Sequence, residues 1–179
     1  MNMIKLHLGC GKRYMEGWIH VDIINYDHVD IVTEIEHLSS IDSNSVDEIY
    51  VSHTLEHIGR RQFYSALNRW YECLKSGGIL RVAVPDFEAV VNRYQVEGNL
   101  EELLGMLVGG QRNEYDHHKM VFDFKLLSNA MKDIGFIDIK KYNAHDFLGD
   151  LDDYSKSYLP HMDFENGQLM SLNVVASKP

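Results

Sequence analysis

The fold of this chain is decided by residues 46–58, which read VDEIYVSHTLEHI. The first part is rich in apolar residues and predicts a short strand over 47–52. From about Leu55 to Lys75, apolar residues then recur every three to four positions, which predicts an amphipathic helix. Gly77-Gly78 follows where a helix commonly ends in a left-handed residue. The stretch therefore predicts a strand that leads into a helix.

Apolar segments on both sides extend this alternation. Strands are predicted at 4–8, 18–23, 29–32, 79–84, 137–142 and 169–176. A second helix is expected to begin after Asp123, a good N-cap residue, and to stop at Gly135. Residues 143–168 are expected to be mostly irregular. The alternation favours a doubly wound, mostly parallel sheet of the Rossmann-like α/β class, in a single domain over 1–179.

The connection between the first two predicted strands is short. Residues 11–17 leave too little chain for a crossover helix, since a parallel crossover needs about a dozen residues. We therefore expect a shortened first crossover and one thinly covered sheet face. The resulting opening could admit substrate or a partner subunit, including a second copy in a homo-oligomer.

Composition restricts the classes of partner and location. The chain has 17 Lys and Arg residues against 27 Asp and Glu residues, and its net charge of −10 disfavours nucleic acid. No apolar run approaches the roughly 20 residues that span a bilayer, and no export leader is recognisable, so we expect no membrane insertion and a cytoplasmic location. Cys10 and Cys73 do not form a Cys-x-x-Cys pair, which gives no support for a disulfide framework or a structural zinc site.

A ligand site is predicted where the first two strands end. Gly9-Cys10-Gly11 follows the first strand, and a loop without Cβ atoms lets the backbone approach a ligand closely. Asp22 ends the next strand, where a carboxylate can accept hydrogen bonds from both hydroxyls of a ribose. Either feature alone is also compatible with a simple turn or a loop cap. Gly9, Gly11 and Tyr14 do not complete the Gly-x-Gly-x-x-Gly pattern of dinucleotide folds.

Taken with residues 46–58, these features resemble the class I S-adenosylmethionine-dependent methyltransferases. The resemblance continues through Leu74–Leu80, Gly135-Phe136 and residues 171–176. Within that class the chain looks most similar to compact methyltransferases associated with surface-polysaccharide synthesis. The resemblance implies an enzyme and an antiparallel C-terminal strand.

The resemblance also implies a site for S-adenosylmethionine, which leaves as S-adenosylhomocysteine. The implied contacts are Gly9, Cys10 and Gly11 for the methionine and ribose portion, Asp22 for the ribose hydroxyls, Ile35 or Glu36 for the adenine ring, and Ser52 and His53 beside the sulfonium. His7 departs from the pattern, because many members carry an acidic residue there. Its presence removes one expected contact to the ammonium group of the cofactor.

The expected reaction is O-methylation of a small acceptor, such as a sugar hydroxyl of a surface glycan or its precursor. The sulfonium is already an activated methyl donor, so the protein must align the acceptor and supply a base, and metal is not required. His118 is the preferred base, because the resemblance places a His followed by a basic residue at this point of the chain, and His53 is the second candidate. A neutral imidazole with an ordinary pKa can accept the hydroxyl proton.

Two other functions remain open. His53-Thr54-Leu55-Glu56-His57 is formally a His-x-x-Glu-His pattern, which occurs in zinc-dependent hydrolases, but no third ligand is evident. His7 and the shortened crossover also suit a non-catalytic methyltransferase fold that acts as a binding or scaffold subunit.

Overall fold

A computed structural model describes residues 3–179; residues 1 and 2 of the predicted single domain lie outside the described part. Its strands are β1 (Lys5–Leu8), β2 (Ile19–Asp22), β3 (Ile31–Val32), β4 (Val46–Ser52), β5 (Leu74–Pro85), β6 (Ile137–Lys141), β7 (Tyr158–Leu159), β8 (Gln168–Leu169) and β9 (Ser171–Ser177). One seven-stranded sheet has the order β3-β2-β1-β4-β5-β9-β6, and β7 pairs with β8 separately. Strand β9 is antiparallel to β5 and β6, while the pairs among β1 to β5 are parallel. The predicted Rossmann-like α/β fold with an antiparallel C-terminal strand is confirmed.

The helices are α1 (Phe63–Cys73), α2 (Phe87–Glu97), α3 (Leu100–Val108), α4 (Phe124–Ile134) and α5 (Ala144–Leu148), with single 3-10 turns at Leu55–His57 and Tyr154–Lys156. Helix α4 begins and ends as predicted. The Asp123 carboxylate accepts a hydrogen bond from the Leu126 N–H over 2.6 Å, and Gly135 adopts a φ of 117°.

The helix predicted from Leu55 to Lys75 is wrong at both ends. It begins at Phe63, because Ile58 is extended with a ψ of 136° and limits the earlier segment to one 3-10 turn. It ends at Cys73, because Leu74 is extended and pairs with Val46 of β4. Gly77 has a φ of 78° but lies within β5, where its N–H donates to the Lys178 carbonyl.

Helices α2 and α3 are not predicted from the sequence. Asp86 caps α2 by accepting a hydrogen bond from the Glu88 N–H, and Gly98 ends the helix at a φ of 64°. Exposed apolar side chains such as Val96 and Leu100 obscure the amphipathic pattern of this pair.

The main core lies between one sheet face and helices α1 and α4. Trp70 of α1 and Leu127 of α4 are fully buried there, together with alternate residues of the central strands. The indole N–H of Trp70 donates to the Ile35 carbonyl over 2.8 Å. This bond ties the segment after β3 to the core, and it therefore positions one wall of the cleft described below.

The opposite sheet face is covered by the C-terminal part of the chain. No helix connects β1 and β2, so the predicted short crossover is confirmed. The sheet face is not thinly covered at Tyr50, because α5 packs over it, and Phe147 and Trp18 meet the Tyr50 ring edge-on. Residues 11–14 of the short connection line the cleft described below. Residues 143–168 are mostly irregular, as expected; the regular elements among them are α5, one 3-10 turn and the short β7–β8 pair.

None of the helices in residues 3–179 has the length and apolar character that crossing a bilayer requires.

Candidate active site

A cleft of about 970 Å³ opens where β1, β2 and β4 end at their carboxyl edges. Ligands of open α/β sheets bind at this edge, beside the strand where the order of the sheet reverses. Strand β1 is that strand here, because its neighbours β2 and β4 lie on either side of it. The topology therefore places the glycine loop and the end of β2 in one wall of the cleft.

The glycine loop needs its two glycines for different reasons. Gly9 has a φ of 63°, and a Cβ there would lie 2.3 Å from the Thr54 side chain. Gly11 has a φ of 56°, and a Cβ there would meet no atom within 4 Å. Since Gly11 lines the cleft, any side chain at this position would occupy ligand space.

Asp22 holds this loop in place. One carboxylate oxygen accepts a hydrogen bond from the Gly11 N–H and the other from the Ile24 N–H, each over 2.8 Å. A carboxylate has about four acceptor positions, so each oxygen keeps a free one. Asp22 also lines the cleft, where these positions can accept hydrogen bonds from a ribose.

Of the other predicted cofactor contacts, some line the cleft and others are buried behind it. Ile35, Glu36, Ser52 and His53 line it. Cys10 is 1% exposed, its thiol lies 3.8 Å from Nε2 of His28, and burial raises its pKa to about 12. His7 is buried between the rings of His20 and Tyr50 rather than in the cleft lining.

A buried carboxylate that the sequence analysis did not identify supports the end of β4. Asp153 accepts hydrogen bonds from the hydroxyls of Ser52 and Tyr50 and from the Ser155 N–H. Burial alone would raise the pKa of Asp153, but these hydrogen bonds hold it below its usual value. Asp153 therefore fixes Ser52 at the mouth of the cleft in one rotamer.

The segment after α5 also reaches the cleft from outside. Arg13 donates to the Asp152 carbonyl over 2.9 Å, and its guanidinium lies 4.3 Å from the centre of the Tyr154 ring. Asp152 and Tyr154 line the cleft. Asp153 and Ser155 of the same segment are buried, which fixes it against the sheet.

A second wall of the cleft carries what we call the histidine cluster: His53, Glu56, His57 and His118. The Glu56 carbonyl accepts hydrogen bonds from the N–H groups of Lys119 and Met120, which brings His118 beside the Leu55–His57 turn. The rings of His57 and His118 meet edge-on with their centres 4.8 Å apart. Sequence spacing gave no sign of this contact, because it is made by a loop between α3 and α4.

The predicted bases occupy different depths in this cluster. His53 lines the cleft; its Nε2 lies 2.9 Å from the Ser171 hydroxyl, and its Nδ1 lies 3.5 Å from the Glu56 carboxyl. His118 lies behind Glu56, with its Nε2 at 3.9 Å from the same carboxyl oxygen. Burial lowers the pKa of His53 to about 3 and also lowers that of His118, so both rings are neutral at neutral pH.

Comparison with known proteins gives independent findings on the class of protein to which this chain is similar. Residues 21–82 match the family model described as "Methyltransferase domain". No curated protein matches the sequence. The match runs from within β2 to within β5, and it includes Asp22 and most of the histidine cluster.

Solved structures similar to this chain include three methyltransferases. One from Archaeoglobus fulgidus, described as SAM dependent, has a TM-score of 0.60 and 18% identity over 98% of this chain and 86% of that chain. One from Thermotoga maritima, described as a SAM-dependent methyltransferase, has a TM-score of 0.64 and 18% identity over 98% and 82%. The 1,6-didemethyltoxoflavin-N1-methyltransferase of Burkholderia thailandensis has a TM-score of 0.59 and 12% identity over 98% and 70%.

The chain therefore has the fold of these S-adenosylmethionine-dependent methyltransferases, and its residues 21–82 match a family model for a methyltransferase domain.

Proposed function

We propose that this protein is an S-adenosylmethionine-dependent methyltransferase that methylates a hydroxyl group of a small acceptor. The observation that carries the proposal is the position of the Asp22 carboxylate, which lies in the cleft and is bonded to the glycine loop through the Gly11 N–H. A loop without side chains beside a ribose-binding carboxylate fits a nucleoside ligand. The structure of the 1,6-didemethyltoxoflavin-N1-methyltransferase contains S-adenosylhomocysteine, and that protein has the same fold.

The residues that would hold the cofactor follow from the cleft lining. Asp22 would accept hydrogen bonds from the ribose hydroxyls, the space beside Gly11 would admit the methionine portion, and Ile35 and Glu36 would lie against the adenine. The cofactor supplies an activated methyl group on a sulfonium. Ser52 and His53, at the end of β4, would border that group and exclude water from it.

The outer cleft suits an acceptor rich in hydroxyls. Its lining includes the half-exposed rings of Tyr115 and Tyr154 and the carboxylates of Glu114 and Asp152. Aromatic faces pack against sugar rings, and carboxylates accept hydrogen bonds from hydroxyls. We therefore propose a sugar hydroxyl, of a surface glycan or its precursor, as the acceptor.

His53 is the group that we propose positions the acceptor hydroxyl. Its ring is neutral at neutral pH and lines the cleft. Its low pKa makes it a weak base, so the proton released on methylation passes to water in the open cleft. The Ser171 hydroxyl that now contacts Nε2 has a second partner, the Asn173 side-chain oxygen at 2.9 Å. Because the Ser171 hydroxyl donates to Asn173, Nε2 of His53 carries the ring proton and donates to Ser171. Nε2 can exchange this contact for a hydrogen bond to the oxygen of an acceptor hydroxyl. His118 is proposed as a positioning residue, since it reaches His53 only through Glu56.

The proposal is tested by incubating the purified full chain with S-adenosylmethionine and a panel of sugars and sugar nucleotides. Release of S-adenosylhomocysteine, together with one added methyl group on an acceptor in the mass spectrum, is the expected result. Cofactor binding without turnover on any hydroxylated acceptor would contradict the O-methyltransferase assignment. It would support a scaffold with a retained cofactor site.

A further inference from the structure

The carboxylate of Glu56 lies beside two imidazoles at the back of the histidine cluster. One ligand-type atom each from Glu56, His57 and His118 lies within 4.8 Å of the other two. The three residues come from the turn after β4 and from the loop between α3 and α4, which the Glu56 carbonyl joins by two backbone hydrogen bonds. The arrangement is therefore held by the backbone and not only by side-chain packing.

Glu56 is buried without a hydrogen-bond partner. Its side chain is 1% exposed, and neither carboxyl oxygen has a partner among the described residues. The nearest nitrogens, Nδ1 of His53 and Nε2 of His118, lie 3.5 and 3.9 Å away. An unpartnered buried polar group costs about 1–3 kcal/mol, and more when it is charged. A position this costly indicates that something else binds the carboxyl group.

The imidazoles of His57 and His118 are oriented so that one nitrogen of each ring keeps a free lone pair. Nδ1 of His57 lies 3.1 Å from the His117 carbonyl, and Nδ1 of His118 lies 3.0 Å from the Met106 carbonyl. A carbonyl only accepts hydrogen bonds, so each Nδ1 carries the proton and each Nε2 keeps its lone pair. Histidines that bind metals are held in this way, with the other ring nitrogen donating to a backbone carbonyl or carboxylate.

We infer that Glu56, His57 and His118 bind one divalent transition-metal ion of the zinc type. Two imidazole nitrogens and one carboxylate are a recurrent ligand set for Zn²⁺ and for non-haem Fe²⁺, with an open position left for water or substrate. The ion would take the place of the Glu56 carboxyl proton and compensate the carboxylate charge that results. His57 also lines the cleft, so the ion would lie in the cleft wall. The inference goes beyond the proposed methyl transfer, because metal binding needs neither cofactor nor acceptor.

Metal binding is measured on the full chain after treatment with a chelator and dialysis. Zn²⁺ is titrated in competition with a chromophoric chelator, and Co²⁺ is added separately because its visible spectrum reports the ligand set. We expect one Zn²⁺ per chain. Glu56→Gln and His118→Asn should each weaken binding at least tenfold. The matched control is His117→Ala, an exposed histidine in the same loop, which should bind as the unchanged protein does.

A folding measurement distinguishes lost ligands from a lost fold. Zn²⁺ should raise the melting temperature of the unchanged protein and of His117→Ala but not that of Glu56→Gln, which keeps the side-chain volume. No stoichiometric Zn²⁺, or equal binding by all variants, would overturn the inference and leave Glu56 as a carboxyl group that is simply protonated. Either result leaves cofactor binding to be measured independently, so a failed metal site does not imply a failed methyltransferase.

Discussion

Thr54 occupies the space beside Gly9 in which a Cβ would lie, with two side-chain atoms 2.3 Å from that position. The Thr54 hydroxyl also lies 3.3 Å from the Gly9 carbonyl. The backbone of the glycine loop therefore packs directly against the side chain of Thr54, just after β4. Gly11, two residues later, has a similar φ of 56° but open space around it. The two glycines therefore permit a matched experiment.

Gly9→Ala should destabilise the protein much more than Gly11→Ala. Both substitutions place alanine in the left-handed region, at about 1–2 kcal/mol each, but only Gly9→Ala adds a clash with Thr54, at about 1–3 kcal/mol more. Urea unfolding monitored by circular dichroism measures the difference. Equal losses in the two variants would show that the Gly9–Thr54 contact does not restrict this loop.

Gly11→Ala should affect ligand binding more than stability. Its methyl group would stand in the cleft next to Asp22, where the methionine portion of the cofactor is proposed to lie. Calorimetry should show S-adenosylhomocysteine binding weakened at least tenfold in a variant that still unfolds cooperatively. Unchanged affinity would place the ligand elsewhere in the cleft.

Asp153→Asn should destabilise the fold in a pH-dependent way. The Asp153 pKa is lowered in the folded protein, so its stabilising effect is fully present above the unfolded value of about 3.9 and is lost as the pH falls through the folded value. The variant should lose about 2 kcal/mol of unfolding free energy at pH 7, because the hydrogen bonds from Ser52 and Tyr50 lose their charged acceptor.

The difference between Asp153→Asn and the unchanged protein should shrink as the pH falls below 4, measured by urea unfolding at several pH values. Asp152→Asn is the matched control, because the carboxylate of Asp152, next to Asp153 in the chain, is exposed. This substitution should change the free energy of unfolding by less than about 0.5 kcal/mol. A difference between Asp153→Asn and the unchanged protein that does not vary with pH would argue against an ionised Asp153.

His53→Ala should reduce turnover without reducing cofactor affinity. Loss of a group that positions the acceptor lowers the rate by about 10²-fold. Steady-state kinetics on an acceptor from the panel should show this loss in kcat, with S-adenosylmethionine affinity changed less than about twofold. His37→Ala, an exposed histidine paired with Glu34, serves as the control. A rate within threefold of the unchanged protein would remove His53 from the proposed mechanism.

Local signals in the sequence predicted the parts of the fold that local interactions determine. Asp123 and Gly135 bound helix α4 as predicted, because capping depends on residues within one turn. The predicted start of α1 is wrong, because the apolar residues Leu55 and Ile58 continue the helical spacing. The chain before Phe63 is nevertheless not an α-helix. Buried positions in a turn and in a helix are indistinguishable by spacing alone.

The candidate site was predictable only along the strand ends. Asp22 and Ser52 follow from the rule that ligand-binding groups lie at the carboxyl ends of strands. Asp153 and the contact of His118 with Glu56 join segments far apart in the chain, and nothing in their spacing indicates the pairing. A single sequence contains the residues of such a cluster but not the tertiary packing that brings them together.

Calorimetric titration of the metal-free protein with S-adenosylmethionine and S-adenosylhomocysteine tests the proposed cofactor site most directly. It compares the unchanged protein with Asp22→Ala and with Asp27→Ala, an exposed carboxylate in the following loop. We predict micromolar binding by the unchanged protein and by Asp27→Ala, and at least tenfold weaker binding by Asp22→Ala, a loss of about 1.4 kcal/mol. Absence of binding by the unchanged protein, or equal affinity in Asp22→Ala, would contradict a cofactor site at the end of β2.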